Sequence, residues 1–129
     1  DDRTAADRFR DAARLFDHVY WWEAHEELEA LWRAAGRSTE EGRFLQGLIH
    51  ASAAYLHRAR GDDPRPQAGK ALVRLSAFAG KRRGVDGPRF RRDFERTILD
   101  PRRPPARLDL VPAAGPEDNP RRTRPRSSE

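Results

Sequence analysis

Apolar residues recur at intervals of three and four positions from Thr4 to His18, with Asp and Arg residues between them. Such spacing places the apolar side chains on one face of an amphipathic α-helix. The same pattern predicts four further helices, which run from Trp21 to Ala35, from Glu40 to Arg60, from Pro66 to Ala79 and from Pro88 to about Leu99. No segment shows the strict alternation of a half-buried strand. The sequence therefore predicts an all-α protein, a single compact bundle of about five helices.

Boundary residues support the second and third helices. Gly36 follows the second helix and tolerates the positive φ that often ends a helix. Ser38 or Thr39 is expected to cap the third helix, whose first turn carries two Glu residues where the helix dipole favours negative charge. The third helix is apolar around much of its circumference, which predicts that it lies at the centre of the bundle.

Proline dominates the end of the chain. Seven of the ten prolines lie beyond Asp100, together with seven arginines and few large apolar residues. Proline lacks the backbone N–H that regular structure requires, and so polar a segment cannot bury a core of its own. We therefore assign residues 1–100 to the helical domain and residues 101–129 to an extended Pro/Arg-rich tail. Residues 106–112 are expected to lie extended against the bundle, and the tail from Pro112 onward is expected to be mobile.

The chain contains no cysteine, which excludes disulfides, thiolate metal sites and a nucleophilic thiol. Any chemistry must come from His, carboxylate, hydroxyl or Arg side chains. No run of about eighteen apolar residues and no leader-like segment occurs, so we expect no membrane association and a cytoplasmic location.

The net charge of +5 raises the question of nucleic-acid binding. Of the 26 basic residues 24 are Arg, a ratio typical of a GC-rich genome. Residues 101–129 carry seven Arg against four acidic residues, so much of the positive charge lies in the tail. Because no aromatic residues are interleaved with the arginines of the tail and no nucleic-acid-binding motif occurs, we do not expect nucleic acid as a partner.

The second helix carries the pattern that is richest in chemistry. One stripe of this helix, predicted to be buried, consists of Trp21, His25, Leu28 and Trp32. Glu29 lies beside the stripe and four positions after His25, so the Cβ atoms of the pair are about 5–6 Å apart. An imidazole and a carboxylate thus meet at the margin of an apolar surface. The other glutamates of this helix are expected to face solvent: Glu23, Glu26 and Glu27.

Three interpretations of the His25–Glu29 pair stay open. The pair can be structural, with Glu29 accepting a hydrogen bond from His25 in the shelter of Trp32. It can bind a divalent metal ion, because imidazole and carboxylate four positions apart reach one ion, as in metal-binding helical bundles. It can also act without metal, with Glu29 orienting His25 as a proton shuttle.

A metal ion needs at least one further ligand, and the third helix is the expected source. His50 and His57 are seven positions apart on one side of that helix, with Gln46 one turn before His50. The predicted metal ligands are His25, Glu29 and His57, and the predicted motif or structural residues are Trp32, Gln46 and His50.

Three blocks of the sequence resemble a known family: Tyr20 to Arg33, Arg43 to Ile49 and Tyr55 to Gly61. They are similar to the bacterial and archaeal domain of unknown function 309 (DUF309). The hallmark of that family, His-x-x-x-Glu-x-x-Trp/Tyr, is matched by His25, Glu29 and Trp32. The resemblance implies a compact helical bundle and a motif that binds metal, but it brings no established activity. The Pro/Arg-rich tail lies outside the family core.

Two functions follow from these patterns. The first is a divalent-metal-binding protein, in which zinc, manganese or iron would activate water for hydrolysis. The alternative is a non-enzymatic interaction or oligomerisation module, in which the His25–Glu29 pair is structural and Trp22 contacts a second copy of the chain or another protein. Whether the protein is an enzyme stays open at this point.

Overall fold

Five helices and one short hairpin form the part of the chain that the computed structural model describes, residues 2–111. The helices are α1 (Ala5–Asp17), α2 (Trp21–Ala35), α3 (Glu40–Ala59), α4 (Arg65–Leu75) and α5 (Gly87–Thr97). The hairpin pairs β1 (Lys81–Arg82) with β2 (Val85–Asp86) in antiparallel register. These elements confirm the all-α fold class. The predicted mobile stretch from Pro112 onward lies outside the described residues.

The hairpin is a feature that the sequence analysis missed. Its two turn residues, Arg83 and Gly84, have φ angles of 51° and 82°, as in the type I′ turn that closes tight hairpins. The expectation that the chain forms no strand is therefore wrong here, because strands of two residues are too short to show an alternating pattern. Just before the hairpin, α4 ends at Leu75 rather than at the predicted Ala79.

The pair α2 and α3 is antiparallel because only residues 36–39 connect the two helices. At the far end of the pair the ring of Trp21 stacks on that of Tyr55, with centroids 4.7 Å apart. The two helices run in opposite directions and rise equally per residue. A residue of α2 and a residue of α3 therefore lie at the same height along the pair when their residue numbers add to about 76, as those of Trp21 and Tyr55 do. This register places His50 close to the height of His25.

The hydrophobic core surrounds α3, as the sequence predicts. This helix packs against both α2 and α4, and half of its residues are buried. Aromatic rings from three other helices gather around Tyr55: those of Phe16, Trp21 and Phe94. Tyr55 therefore joins α1, α2 and α5 to the central helix.

A buried chain of hydrogen bonds continues from the Tyr55 hydroxyl. The backbone N–H of Ala106 donates to this oxygen at 2.7 Å. Thr97 Oγ1 donates to the carbonyl of Asp93 at 2.7 Å, so Tyr55 is the donor in its contact with Thr97 Oγ1 at 2.8 Å. Burial raises the pKa of Tyr55, and the hydroxyl accordingly keeps its proton at neutral pH.

Residues 106–111, which we call the C-terminal strap, lie against the bundle. Ala106 and Leu108 are buried in the core. The carboxylate of Asp17, at the end of α1, accepts hydrogen bonds from the backbone N–H groups of Leu108 and Asp109 at 2.6 and 2.9 Å. These hydrogen bonds thereby join the end of the first helix to the segment that follows the last helix.

Asp17 gives the stability of the fold a pH dependence. Burial raises the pKa of its carboxyl group above the usual value, and the N–H groups of Asp109 and Leu108 offset only part of this effect. The folded state therefore binds the Asp17 proton more tightly than the unfolded state does. Its stabilising contribution is full at acidic pH and declines as the pH rises through the folded-state pKa.

The variant Asp17→Asn removes this titration and keeps an oxygen that can accept from the strap. Relative to the wild type, we expect its free energy of unfolding to increase as the pH rises from about 4 to about 7. Urea unfolding of both proteins across this range measures the difference. A difference that does not change with pH would contradict the raised pKa.

Candidate functional site

The buried face of α2 differs from the predicted stripe. Its buried residues are Trp21, Ala24, Leu28 and Leu31. His25 and Trp32 are only partly buried, and the side chain of His25 is 22% exposed. His25 and Trp32 are therefore less buried than the helical pattern predicts. Because α2 packs against both α1 and α3, its buried sector is shifted toward Ala24 and leaves His25 at the edge, where solutes can reach it.

Three side chains of α2 converge at this edge. His25, Glu26 and Glu29 each offer one potential ligand atom, and these atoms all lie within 4.8 Å of one another. His25 Nδ1 is 3.9 Å from Glu29 Oε1. Glu26 is exposed, as expected, but its carboxylate belongs to the same group. We refer to these three residues as the His25 cluster.

Two polar atoms at the site are enclosed without a hydrogen-bond partner among the described residues. They are His25 Nδ1 and Trp32 Nε1. The 3.9 Å that separates His25 Nδ1 from Glu29 Oε1 is too long for a hydrogen bond. A polar atom that has lost water without gaining a partner costs about 1–3 kcal/mol. The imidazole of His25 therefore has one ring nitrogen, Nδ1, that is available to bind a further group.

The surroundings of the cluster are aromatic on one side and charged on the other. The exposed ring of Trp22 lies nearly parallel to the His25 ring, at 8° and with centroids 6.1 Å apart. Arg33 Nη1 lies 3.9 Å from Glu29 Oε1, so the carboxylate is equally far from a guanidinium and from the imidazole. The Arg37 guanidinium lies over the Trp32 ring, 5.1 Å from its centroid.

His50 is partly buried on α3 and contacts α4. Its Nδ1 is 2.7 Å from Oε1 of Gln67 in α4. Burial lowers the pKa of His50, and the charges of Arg74, Lys70 and His25 lower it further, whereas the bond to Gln67 raises it.

The other two predicted residues, His57 and Gln46, also lie on α3. His57 is about two turns, or about 10 Å, beyond His50 along α3, and its Nδ1 lies 3.7 Å from Asp62 Oδ2. Its predicted role as a ligand stays a prediction. Gln46 is partly buried one turn before His50, and the height relation between α2 and α3 places it near the level of Glu29.

The donors of the His25 cluster fit a divalent transition metal. Imidazole and carboxylate groups bind zinc, manganese and iron. Two donors on one tetrahedral zinc ion are roughly 3.4 Å apart, given bond lengths of about 2.0–2.1 Å. The 3.9 Å between His25 Nδ1 and Glu29 Oε1 is only slightly wider, so small side-chain rotations are sufficient. An ion would also give His25 Nδ1 the partner that it lacks.

Comparisons with known proteins identify one family. Residues 9–65 match the model of a domain of unknown function, DUF309. This match confirms the resemblance found in the sequence. The chain matches no curated protein and no solved structure. Within residues 2–111, no helix has both the length and the apolar character that crossing a bilayer requires.

Proposed function

Starting from a chain whose residues 9–65 match the model of the DUF309 family, we propose that the protein binds one divalent transition-metal ion through His25 and Glu29. Glu26 supplies a further carboxylate in the same cluster. The observation that supports this most strongly is the enclosed Nδ1 of His25, which has no hydrogen-bond partner within residues 2–111 and lies 3.9 Å from a carboxylate oxygen. Binding of an ion satisfies this nitrogen without a change in the helix.

A purely structural His25–Glu29 pair explains the geometry less well. A charge-assisted hydrogen bond between imidazole and carboxylate closes to about 2.7–2.9 Å, whereas this pair stays 3.9 Å apart. Glu26 and Glu29, three positions apart on one helix, also repel each other, which costs about 0.2–0.5 kcal/mol. A divalent cation removes this repulsion because the two carboxylates balance its charge.

The chemistry of such a site follows from its exposure. When bound, the ion supplies a Lewis acid that polarises a substrate oxygen. The side chains of His25 and Glu29 are 22% and 30% exposed, so a small substrate can approach from the solvent side. The Trp22 ring beside His25 offers an apolar surface to an organic substrate. Hydrolysis is the reaction class that we propose to test first.

The metal content of the protein tests the proposal. The protein is purified without chelators and without a polyhistidine tag, and its metal is measured by elemental mass spectrometry. We expect close to one equivalent of zinc, manganese or iron in the wild type, and a loss of at least about 90% in His25→Ala and in Glu29→Gln. His18→Ala is the matched control, since His18 is exposed and its Nδ1 lies 2.8 Å from the carbonyl of Arg14.

Absence of metal in the wild type, persisting after incubation with all three ions, would overturn the proposal. The alternative function, an interaction or oligomerisation module, would then be favoured. Three neighbouring residues supply an apolar surface for it, all more than half exposed: Val19, Tyr20 and Trp22. Circular dichroism of each variant separates loss of the ion from loss of the fold.

A further inference from the structure

His50 is oriented by a residue of α4. A carbonyl oxygen only accepts hydrogen bonds, so the 2.7 Å contact with Gln67 Oε1 requires a proton on His50 Nδ1. In the neutral imidazole the other ring nitrogen, Nε2, then carries the free lone pair. Metal-binding histidines are held in this way, with one nitrogen donating to an oxygen and the other bound to the ion.

The position of His50 along α3 matches the His25 cluster. The stacked rings of Trp21 and Tyr55 fix the relative height of α2 and α3. His25 lies four residues after Trp21 on α2, and His50 lies five residues before Tyr55 on α3. Both steps run toward the connection between the two helices. One residue corresponds to about 1.5 Å of rise. The charge of His25 is also the last and smallest of the causes that lower the pKa of His50, which agrees with this placement.

The charges around His50 act in opposite directions. Lys70 and Arg74 of α4 lower its pKa, and both disfavour a further positive charge at this place. Glu26 and Glu29 contribute two negative charges from α2, which offset a divalent ion. Burial, the largest cause of the lowered pKa, favours the neutral imidazole that a metal ion requires.

We propose that His50 is a further protein ligand, through Nε2, of the divalent ion that His25 and Glu29 bind, and that Gln67 is the residue that positions it. This inference rests on the proposed function and deepens it, because it links α2 to α3 through the metal. His50 lies outside the group of atoms within 4.8 Å of one another, so binding has to draw its ring toward the cluster.

Zinc affinity, measured by competition with a chromophoric chelator, tests the assignment. We expect His50→Ala to weaken zinc binding by about 100-fold. Gln67→Ala is expected to weaken it by about 10-fold, because the His50 ring keeps its metal-binding nitrogen but loses the hydrogen bond that orients it. His18→Ala is the matched control and is expected to bind as the wild type does, and His57→Ala tests the third ligand that the sequence predicted. Thermal unfolding of the metal-free variants shows whether each one folds.

Nitrogen chemical shifts supply a second measurement that needs no variant. In the wild-type protein, long-range ¹H–¹⁵N spectra report both ring nitrogens of each histidine. On addition of zinc we expect the Nε2 signal of His50 to shift together with a ring nitrogen of His25. The signals of His18 are expected to stay in place, and a shift of the His57 signals instead of those of His50 would contradict the assignment.

The outcomes separate this inference from the proposed function. If the wild type binds zinc and loses it in His25→Ala, but His50→Ala binds normally and the His50 signals do not move, His50 is not a ligand and the proposed function stands. If His57→Ala loses zinc instead, the third ligand is the one that the sequence predicted. If the wild type binds no zinc, the same measurement is made with manganese and iron, and binding of none of the three ions overturns both proposals.

Discussion

Replacement of Gly42 by alanine is expected to destabilise the folded protein by about 3 kcal/mol. A Cβ atom at this position would lie far inside van der Waals contact with the Gly36 carbonyl oxygen, and 3.0 Å from the carbonyl carbon. Both are backbone atoms of the short connection between α2 and α3. The same oxygen accepts from Thr39 Oγ1 at 2.8 Å, and Thr39 Oγ1 accepts from the N–H of Gly42 at 2.9 Å. The connection therefore cannot move aside without breaking the cap of α3.

Gly69→Ala is the matched control for this experiment. Gly69 lies within α4, and a Cβ atom there would meet no atom within 4 Å among the described residues beyond the backbone of its own helix. Alanine at an exposed helical position stabilises a protein by about 0.5–1 kcal/mol over glycine. Urea unfolding followed by circular dichroism compares the two variants with the wild type. Similar free energies for Gly42→Ala and the wild type would show that the connection is adaptable.

Removal of a single oxygen atom in Tyr55→Phe is expected to cost about 2–3 kcal/mol. The hydroxyl accepts from the N–H of Ala106 and donates to Thr97, and both contacts are buried. Phenylalanine preserves the aromatic packing but leaves the Ala106 N–H without a partner. An unsatisfied buried donor is more costly than the hydrogen bond itself is favourable, because water cannot replace the lost partner.

The second tyrosine of the chain provides the control. Tyr20 is 55% exposed, so Tyr20→Phe is expected to change the free energy of unfolding by less than about 0.5 kcal/mol. Hydrogen exchange of the Ala106 amide adds a local measurement: in Tyr55→Phe this amide is expected to exchange faster than in the wild type. Unchanged stability and exchange would mean that the network is not formed in solution.

The helices could be predicted because their apolar periodicity is strong. α2 begins and ends at the predicted residues, Trp21 and Ala35. α4 was predicted too long because Phe78 continues the apolar spacing beyond Leu75. Phe78 does contribute to the core, by an edge-to-face contact with Phe44 at 5.3 Å, but it does so from outside the helix. Periodicity records which side chains are buried and not whether the backbone between them is helical.

Prediction of the site was limited by tertiary structure. Helical spacing was sufficient to bring His25 and Glu29 together, and the same rule applied to Glu26 and Glu29 would have found the third member of the cluster. The burial of His25 depends on which parts of the α2 surface are covered by α1 and by α3. The spacing of apolar residues within α2 alone does not contain this information. The choice between His50 and His57 depends on the height relation between α2 and α3. The four-residue connection contained that information, because it forces an antiparallel pair with little freedom to slide.

The hydrogen bonds that the Asp17 carboxylate accepts from the strap join residues that are 91 and 92 positions apart. Contacts this distant in sequence close a large loop and are typical of slow folding steps. During synthesis, α1 to α4 can pair as they emerge, but Asp17 and Tyr55 find their strap partners only after residues 106–109 have been made. The nascent chain therefore passes through an interval in which four helices are packed and one side of the core is still open to proteases and chaperones.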